Sequence, residues 1–171
     1  MSIAAPSNQR RTELVTLGLT ALVILVADQL TKAAVVGALA VGERAHLIGD
    51  FVLIWHVQNT GSAFSLFQFE GSLVLFYVVH IVALGMVAYF HRTFRGRSLW
   101  LQAILGVLLG GSIGNLADRL RQGYVTDFVS VGFGDVRFPT WNVADAGITM
   151  GITLLVAYLV LLEPRHAGSN A

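Results

Sequence analysis

Two aspartates at the ends of apolar segments are the residues of this chain whose chemistry stands out most. Asp127 lies in the stretch Gly-Tyr-Val-Thr-Asp-Phe, and Asp145 lies in Trp-Asn-Val-Ala-Asp-Ala. A charge inside a bilayer is costly, so a carboxylate in or beside a membrane helix is a functional-site hypothesis. Two carboxylates that lie close together share one proton and can perform acid–base chemistry. We therefore expect acid–base chemistry if the fold brings these two side chains together.

A structural interpretation of the second aspartate stays open beside the chemical one. Asn142 and Asp145 are three residues apart, which is the spacing of a helix N-cap and a residue of the first turn. A carboxylate in that turn also interacts favourably with the positive end of the helix dipole. This interpretation does not exclude a catalytic role.

Other polar residues of the apolar segments have helical spacing. Asp28 and Lys32 are four apart and can neutralise each other. Asn115, Asp118 and Arg119 share one helical face, where an Asp–Arg pair can offset charge near the membrane interface. Both sets have this purely structural interpretation.

The composition is that of an integral membrane protein. Of the 171 residues, 55% are hydrophobic and 12% are charged, and the mean hydropathy is +0.70. A single membrane domain over residues 1–171 is the simplest interpretation. The chain has no cysteine, which excludes disulfides, a thiol nucleophile and thiolate metal sites. A net charge of +1 argues against nucleic-acid binding.

Apolar runs of roughly 20 residues predict four membrane-spanning helices, at about 14–36, 72–90, 99–117 and 143–162. Six arginines flank one set of ends and four lie in the segments between the other ends. Because arginine is more frequent on the cytoplasmic side of membrane proteins, the side with six arginines is assigned to the cytoplasm. This places both termini and the 91–98 loop in the cytoplasm, and segments 37–71 and 118–142 outside. An alternative is a cleaved secretory signal ending at Ala38-Leu-Ala40, but Asp28 and Lys32 interrupt the approach to that site.

The outer segments are predicted to carry structure of their own. Residues 46–58, 124–131 and 135–140 look extended, with a turn at Gly132–Gly134, which predicts a small sheet. Ala63–Glu70 alternates apolar and polar residues and predicts a short interfacial helix. The predicted fold is therefore an all-α membrane protein of four transmembrane helices, with a small β-sheet and an interfacial helix on the outer face.

Glycines four residues apart mark the third and fourth predicted helices. They form a smooth stripe that lets helices approach closely in lipid, and packing alone is a sufficient explanation for them. The stripe comprises Gly106, Gly110 and Gly114 in one helix and Gly147 and Gly151 in the other.

Five short motifs, in order along the chain, resemble those of lipoprotein signal peptidases, the signal peptidase II family. They are Asp28-Gln-Leu-Thr-Lys32, Asn59-Thr-Gly-Ser-Ala-Phe64, Gly114-Asn-Leu-Ala-Asp-Arg119, Gly123-Tyr-Val-Thr-Asp-Phe128 and Trp141-Asn-Val-Ala-Asp145. Two departures are visible, because Ser62 replaces a common alanine and Trp141 a common phenylalanine. Neither removes a chemical group, so only packing should change.

The resemblance implies an aspartyl endopeptidase of the bacterial cytoplasmic membrane. Its substrates would be prolipoproteins that carry a diacylglyceryl group on the lipobox cysteine, and cleavage would occur just before that cysteine. Asp127 and Asp145 match the catalytic pair. The residues that match or adjoin the polar surround of the site are Asp28, Lys32, Asn59, Gly61, Asn115, Asp118, Arg119 and Asn142.

The expected partners are the lipid-modified substrate and membrane lipids, and we expect a monomer. No cofactor or metal is expected, because the histidines lack the HExxH spacing of a zinc protease and cysteine is absent. The segment Asn59–Glu70, with Gly61 as a hinge, is predicted either to close over substrate or to lie as a static anchor.

Three other functions remain as alternatives. Gly132-Phe-Gly-Asp135 imitates the GxGD signature of other intramembrane aspartyl proteases, but it falls in a short outer loop where a turn is expected. Ser112 with His80 would suit an intramembrane serine protease, although serine in a glycine-rich helix usually serves packing. A small transporter or assembly factor could use the same carboxylates as a proton relay.

Overall fold

The computed structural model of the chain describes residues 7–61 and 72–162. Four α-helices account for most of these residues, and a π-helical turn, Tyr158–Leu162, continues the last one. The predicted spans coincide with these helices, although the first helix begins seven residues earlier than predicted and the third ends five residues later. The helices are α1 Ser7–Ala38, α2 Ser72–Thr93, α3 Leu99–Gln122 and α4 Val143–Ala157.

The distribution of apolar and charged side chains along α1 is that of a membrane helix. Leu19, Val23 and Leu30 are more than half exposed, whereas Asp28 and Lys32 are buried. By length and hydropathy, three helices of the described chain can cross a membrane, namely Asn8–Ala38, Leu99–Gln122 and Val143–Leu161.

The α3 helix continues beyond the predicted span, which ended at residue 117. The helix continues to Gln122 and ends where Gly123 adopts the left-handed conformation (φ 81°) and donates its N–H to Arg119 O at 3.0 Å. A glycine adopts this conformation without a Cβ clash, which explains where the helix stops. Asp118 is therefore a helical residue, as its spacing from Asn115 predicted.

The glycines of α3 place this helix between α1 and α4. A Cβ added to Gly106 would lie 2.6 Å from Leu17 O in α1, and one added to Gly111 would lie 2.5 Å from Ala144 O in α4. Both distances are too short for any side chain, so the backbones approach each other only because these residues are glycine. The packing interpretation of the glycine stripe is thus confirmed at Gly106, and Gly111, outside the predicted stripe, packs against α4 in the same way.

A four-stranded antiparallel sheet caps the ends of α1 and α3, as predicted. Its order is β1-β2-β3-β4. The predicted extended stretch 46–58 is two strands, because Gly49 (φ 49°) opens a turn between them, and only two residues of 135–140 are a strand. The strands are β1 Arg44–Ile48, β2 Val52–Asn59, β3 Val125–Phe133 and β4 Val136–Arg137.

A backbone pairing joins the sheet to the beginning of α4. Val129 N donates to Trp141 O at 2.8 Å, and Trp141 N donates to Val129 O at 3.1 Å. Asn142, the next residue, is thereby held beside β3. The predicted interfacial helix Ala63–Glu70 lies outside the described residues, as does most of the predicted closing segment.

Candidate active site

Asp127 lies near the start of β3 with its carboxylate enclosed by two asparagines. Asn59, at the end of β2, donates its side-chain N–H to Asp127 Oδ2 at 2.8 Å. Asn142 donates its side-chain N–H to Asp127 Oδ1 at 2.7 Å. The residue is only 1% exposed, so these amides replace the water that would otherwise solvate the carboxylate.

Asp145 lies in the first turn of α4 and shares Asn142 as a partner. The Asn142 backbone N–H donates to Asp145 Oδ2 at 3.2 Å, and the Asp145 backbone N–H donates to Asn142 Oδ1 at 2.9 Å. These reciprocal bonds form a capping box, so the helix-start interpretation is confirmed. Asn115 of α3 donates its side-chain N–H to Asp145 Oδ1 at 2.7 Å. Asn142 therefore contacts both carboxylates, Asp127 through its side chain and Asp145 through its backbone.

Burial and neighbouring charge alter the acidity of Asp127. Burial raises the pKa of this carboxyl to about 6, and the negative charge of Asp145 adds to the rise. The hydrogen bonds from Asn59 and Asn142 and the charge of Lys32 oppose that rise in pKa. A carboxyl with this pKa keeps its proton at pH values where an exposed aspartate has lost it.

A buried lysine connects the first and third helices beneath the two aspartates. Lys32 Nζ lies 2.8 Å from Asp28 Oδ2, 2.8 Å from Asp118 Oδ2 and 3.1 Å from Asn115 Oδ1. These three acceptors use all three N–H groups of the ammonium. The predicted neutralisation of Asp28 by Lys32 is confirmed, and Asp118 shares the same ammonium.

Asp28 also contributes to the beginning of α4. Its Oδ1 accepts the backbone N–H of Ala144 at 2.9 Å, which satisfies a first-turn donor that lacks a partner within the helix. The aspartate fits here because the facing residue of α3 is Gly114, where a Cβ would lie 2.6 Å from Asp28 Oδ2. Thus α1 orients the helix that carries Asp145.

Arg119 and Gly61 lie on the side of the site formed by the end of β2. Gly61 donates its N–H to Asn59 Oδ1 at 2.9 Å and adopts φ 104°, a conformation that favours glycine. A Cβ on Gly61 would lie 3.8 Å from Arg119 Nη2. The positive charge of Arg119 lies near the carboxylates of both Asp127 and Asp145. All ten predicted site residues therefore belong to one connected cluster.

Two residues of the cluster were absent from the sequence-based prediction. Gln29 donates to Asp118 Oδ1 at 3.0 Å and to Asp28 Oδ2 at 3.1 Å, so it joins both carboxylates that flank Lys32. Thr126 donates its backbone N–H to Asp118 Oδ2 at 3.4 Å. The only signal for Gln29 was its polarity inside an apolar span, within the first motif. Nothing in the sequence singled out a backbone donor.

The alternative Gly132–Asp135 motif is part of the hairpin between β3 and β4. Gly134 and Asp135 form its turn, and Asp135 is exposed. Within the described ranges, no three His, Asp or Glu side chains are grouped as the ligands of a metal ion would be.

A sequence model of the signal peptidase II family matches residues 20–161 of the chain. The chain belongs to the signal peptidase II family. It is therefore a protease, and the resemblance inferred from the five motifs is confirmed.

Relatives match the chain over most of their length. The lipoprotein signal peptidase of Shouchella clausii (strain KSM-K16) is 38% identical over 148 residues, covering 86% of this chain and 94% of the relative. That of Enterococcus faecalis (strain ATCC 700802 / V583) is 35% identical over 136 residues, covering 80% and 82%. A bacterial membrane enzyme solved by the in meso method at 1.9 Å has a TM-score of 0.71 and 28% identity, covering 85% of this chain and 92% of that one.

A groove on the sheet includes Asn59 of the candidate site in this signal peptidase II family member. It has a volume of about 510 Å³ and runs from Asn59 past Trp55 and Arg44 to the β3–β4 hairpin and the strand after it. The Arg44 guanidinium carbon lies 3.9 Å from the centre of the Trp55 ring. Trp141, one of the departures from the family pattern, exposes 37% of its surface, and its backbone forms the pairing with β3.

We expect the buried lysine to be essential for the stability of the bundle. Lys32→Met should lower the free energy of unfolding by about 3–5 kcal/mol, because it removes the buried counter-ion of Asp28 and Asp118 and leaves only an exposed arginine beside Asp118. Arg121→Gln is the matched control, since Arg121 also contacts Asp118, at 3.3 Å, but from an exposed position. It should cost about 1 kcal/mol or less. Unfolding in detergent would measure both values, and equal losses would contradict the assignment.

Proposed function

We propose that the chain is a membrane aspartyl endopeptidase that removes the signal peptide from diacylglyceryl-modified prolipoproteins. It would cleave just before the lipidated cysteine, with Asp127 and Asp145 as the catalytic pair. The name of the relatives, lipoprotein signal peptidase, supports the substrate class. The observation that carries the catalytic assignment is that Asn142 hydrogen-bonds both carboxylates at once.

The proposed chemistry follows from two carboxyl groups that hold one proton. The ionised member takes a proton from a water molecule, whose oxygen attacks the scissile carbonyl carbon. The protonated member donates to the carbonyl oxygen, and the C–N bond then breaks as the leaving amine of the cysteine residue accepts a proton. A coupled pair titrates as a unit, so the proton belongs to the pair rather than to either aspartate. No metal or thiol takes part in this scheme.

The asparagines have a defined part in this proposal. Asn59 and Asn142 donate to Asp127, and Asn115 and Asn142 donate to Asp145, so each carboxylate is held from two sides. Fixed partners keep reacting groups in a productive geometry and lower the cost of ordering them during reaction. Lys32 contacts Asn115 Oδ1, which leaves the amide N–H of that side chain to face Asp145.

The location of the site suits a substrate that is half lipid and half peptide. The sheet lies at the ends of the membrane helices, so acyl chains can stay in the bilayer while the peptide bond reaches the interface. The groove beside Asn59 would accept part of the peptide next to the cleaved bond. Membrane lipids are therefore expected to surround the site. We expect the enzyme to be a monomer.

We infer that α2 is a fourth span and that both termini lie in the cytoplasm. It is 22 residues long and is followed by the arginine-rich turn before α3. Because the chain has no cysteine, single cysteines report topology cleanly. An impermeant maleimide added to spheroplasts should label Leu47→Cys in β1 but leave Thr93→Cys at the end of α2 unlabelled. Labelling of both would show that α2 does not cross.

Replacing either aspartate should abolish cleavage. Asp127→Asn and Asp145→Asn should each lower kcat by at least about 10³-fold, because an amide cannot take part in carboxyl proton transfer. Purified protein with a diacylglyceryl lipobox peptide, followed by mass spectrometry of the products, measures this loss. Membrane insertion should be unchanged. Near-normal turnover with either change would remove that residue from the pair.

Two control variants separate the alternative proteases, and a flux assay separates the transporter. Asp135→Asn and Ser112→Ala should both keep most of the activity, whereas loss in one of them, with the fold intact, would support the GxGD or serine mechanism. Ion flux in proteoliposomes without cleavage would support the proton-relay transporter. Inhibition by a chelator that a divalent ion reverses would contradict the metal-free scheme.

The pKa of Asp127 predicts how activity depends on pH. The value of kcat/KM should fall as the pH rises past about 6, because the pair then loses its shared proton. Asn59→Leu removes a hydrogen bond that lowers this pKa, so the alkaline limb should move to higher pH. Gln58→Leu, at the exposed neighbouring position, should leave the limb in place. A limb that moves to lower pH in Asn59→Leu would contradict the assignment.

A further inference from the structure

The end of the helix bundle opposite the aspartates contains a second buried carboxylate. Glu13, near the start of α1, is only 1% exposed. Its Oε1 accepts the backbone N–H of Gly96 at 2.7 Å, and Gln9 donates its side-chain N–H to Gly96 O at 2.9 Å. These bonds tie α1 to the turn between α2 and α3. They use only one of the two carboxylate oxygens of Glu13.

The other oxygen has no donor in the part of the chain that the structure describes. Glu13 Oε2 is buried and has no hydrogen-bond partner among the described residues. An unsatisfied charged oxygen in such a place is costly, so a partner that donates a hydrogen bond is expected. If Glu13 served only to accept the Gly96 N–H, one carboxylate oxygen would be enough.

A cavity beside Glu13 is bordered by basic residues. Its volume is about 130 Å³, and its lining comprises Arg10, Glu13, Leu14, His91 and Arg95. Arg10 and Arg95 are exposed, and Leu14 is 56% exposed on the surface of a predicted span. The cavity therefore lies where α1 enters the membrane, at the level of lipid headgroups. Glu13 is part of this lining, so a ligand in the cavity would meet both the arginines and the Glu13 side chain.

The chemistry of these groups selects among lipid headgroups. A phosphate suits two arginines. A purely anionic headgroup would bring like charge towards Glu13, and a trimethylated ammonium has no N–H to donate. A primary ammonium carries three donors and is attracted by the carboxylate. We propose that the cavity formed by Arg10, Glu13, Leu14, His91 and Arg95 binds the headgroup of an aminophospholipid, with its phosphate on the arginines and its ammonium on Glu13.

The competing interpretation is that Glu13 only fastens the turn and that the arginines only orient the protein in the membrane. Native mass spectrometry of the full chain in detergent, with lipids of identical acyl chains, separates the two. Phosphatidylethanolamine should bind at least about tenfold more tightly than phosphatidylcholine, because methylation removes every N–H donor but keeps the charge. Equal binding of these two lipids, or tighter binding of phosphatidylglycerol, would overturn the proposal.

Variants locate the binding to the cavity. Arg10→Gln with Arg95→Gln should weaken phosphatidylethanolamine binding about tenfold, as expected for the loss of charge-assisted hydrogen bonds. The matched control, Arg11→Gln with Arg92→Gln, removes the same charge from exposed positions of the same two segments and should leave binding unchanged. Equal losses in the two double variants would show a non-specific surface effect and overturn the proposal.

The role of the Glu13 carboxylate is tested with glutamine, its neutral isostere. Glu13→Gln keeps an oxygen that can accept the Gly96 N–H, so the turn should stay tied, but it should abolish the preference for ethanolamine over choline. A retained preference would overturn the role of Glu13. If this variant fails to fold, the comparison of lipids on the unaltered protein still decides. Soluble phosphoethanolamine should not displace the lipid at equal concentration; displacement would mean that the site recognises the free headgroup rather than a membrane lipid.

Discussion

The buried ammonium of Lys32 is the contact on which the rest of the site depends. It carries three N–H groups and has three acceptors, from Asp28 of its own helix and from Asn115 and Asp118 of α3. Each acceptor has a further bond to make, because Asp28 caps α4 and Asn115 donates to Asp145. The charge in the centre of the bundle therefore aligns three helices, and a misplaced lysine would leave the buried carboxylates of Asp28 and Asp118 without this counter-ion.

Helix capping and the proposed chemistry use the same atoms. Asn142 begins α4 through a capping box with Asp145, and its side-chain N–H reaches Asp127 on β3. The sequence left both a structural and a catalytic interpretation of this pair open; the capping box confirms the structural one, and the same geometry is compatible with the proposed catalytic one. A helix start is a rigid element with defined donors, so a reacting carboxylate placed there needs little additional support. Pairing of Trp141 with Val129 connects that helix start to the sheet.

The two ends of the bundle handle buried charge in different ways. Beneath the sheet, the carboxylates are surrounded by lysine, asparagine and backbone donors of the chain itself. At the opposite end, the carboxylate of Glu13 has a backbone donor for one oxygen and none, among the described groups, for the other. A membrane protein can obtain the missing donor from the lipid, which is as permanent a part of its surroundings as water is for a soluble protein. The first helix would then be fixed at both ends.

The sequence alone determined that the chain is a membrane protein, where its helices lie and that its glycines pack against neighbouring helices. It also predicted a small sheet and singled out the two aspartates as candidate site residues. All of these follow from local composition and from short motifs. It did not determine which hydrogen-bond donor pairs with which acceptor. Gln29 and the backbone N–H of Ala144 joined the site only in the tertiary structure, the latter meeting Asp28 across 116 residues of chain. The end of α3 at Gln122 extended beyond its apolar run. Propensity and hydropathy act over a few neighbouring residues, whereas hydrogen-bond partners in a membrane interior are chosen by the packing of whole helices, since no water is present to replace a missing partner.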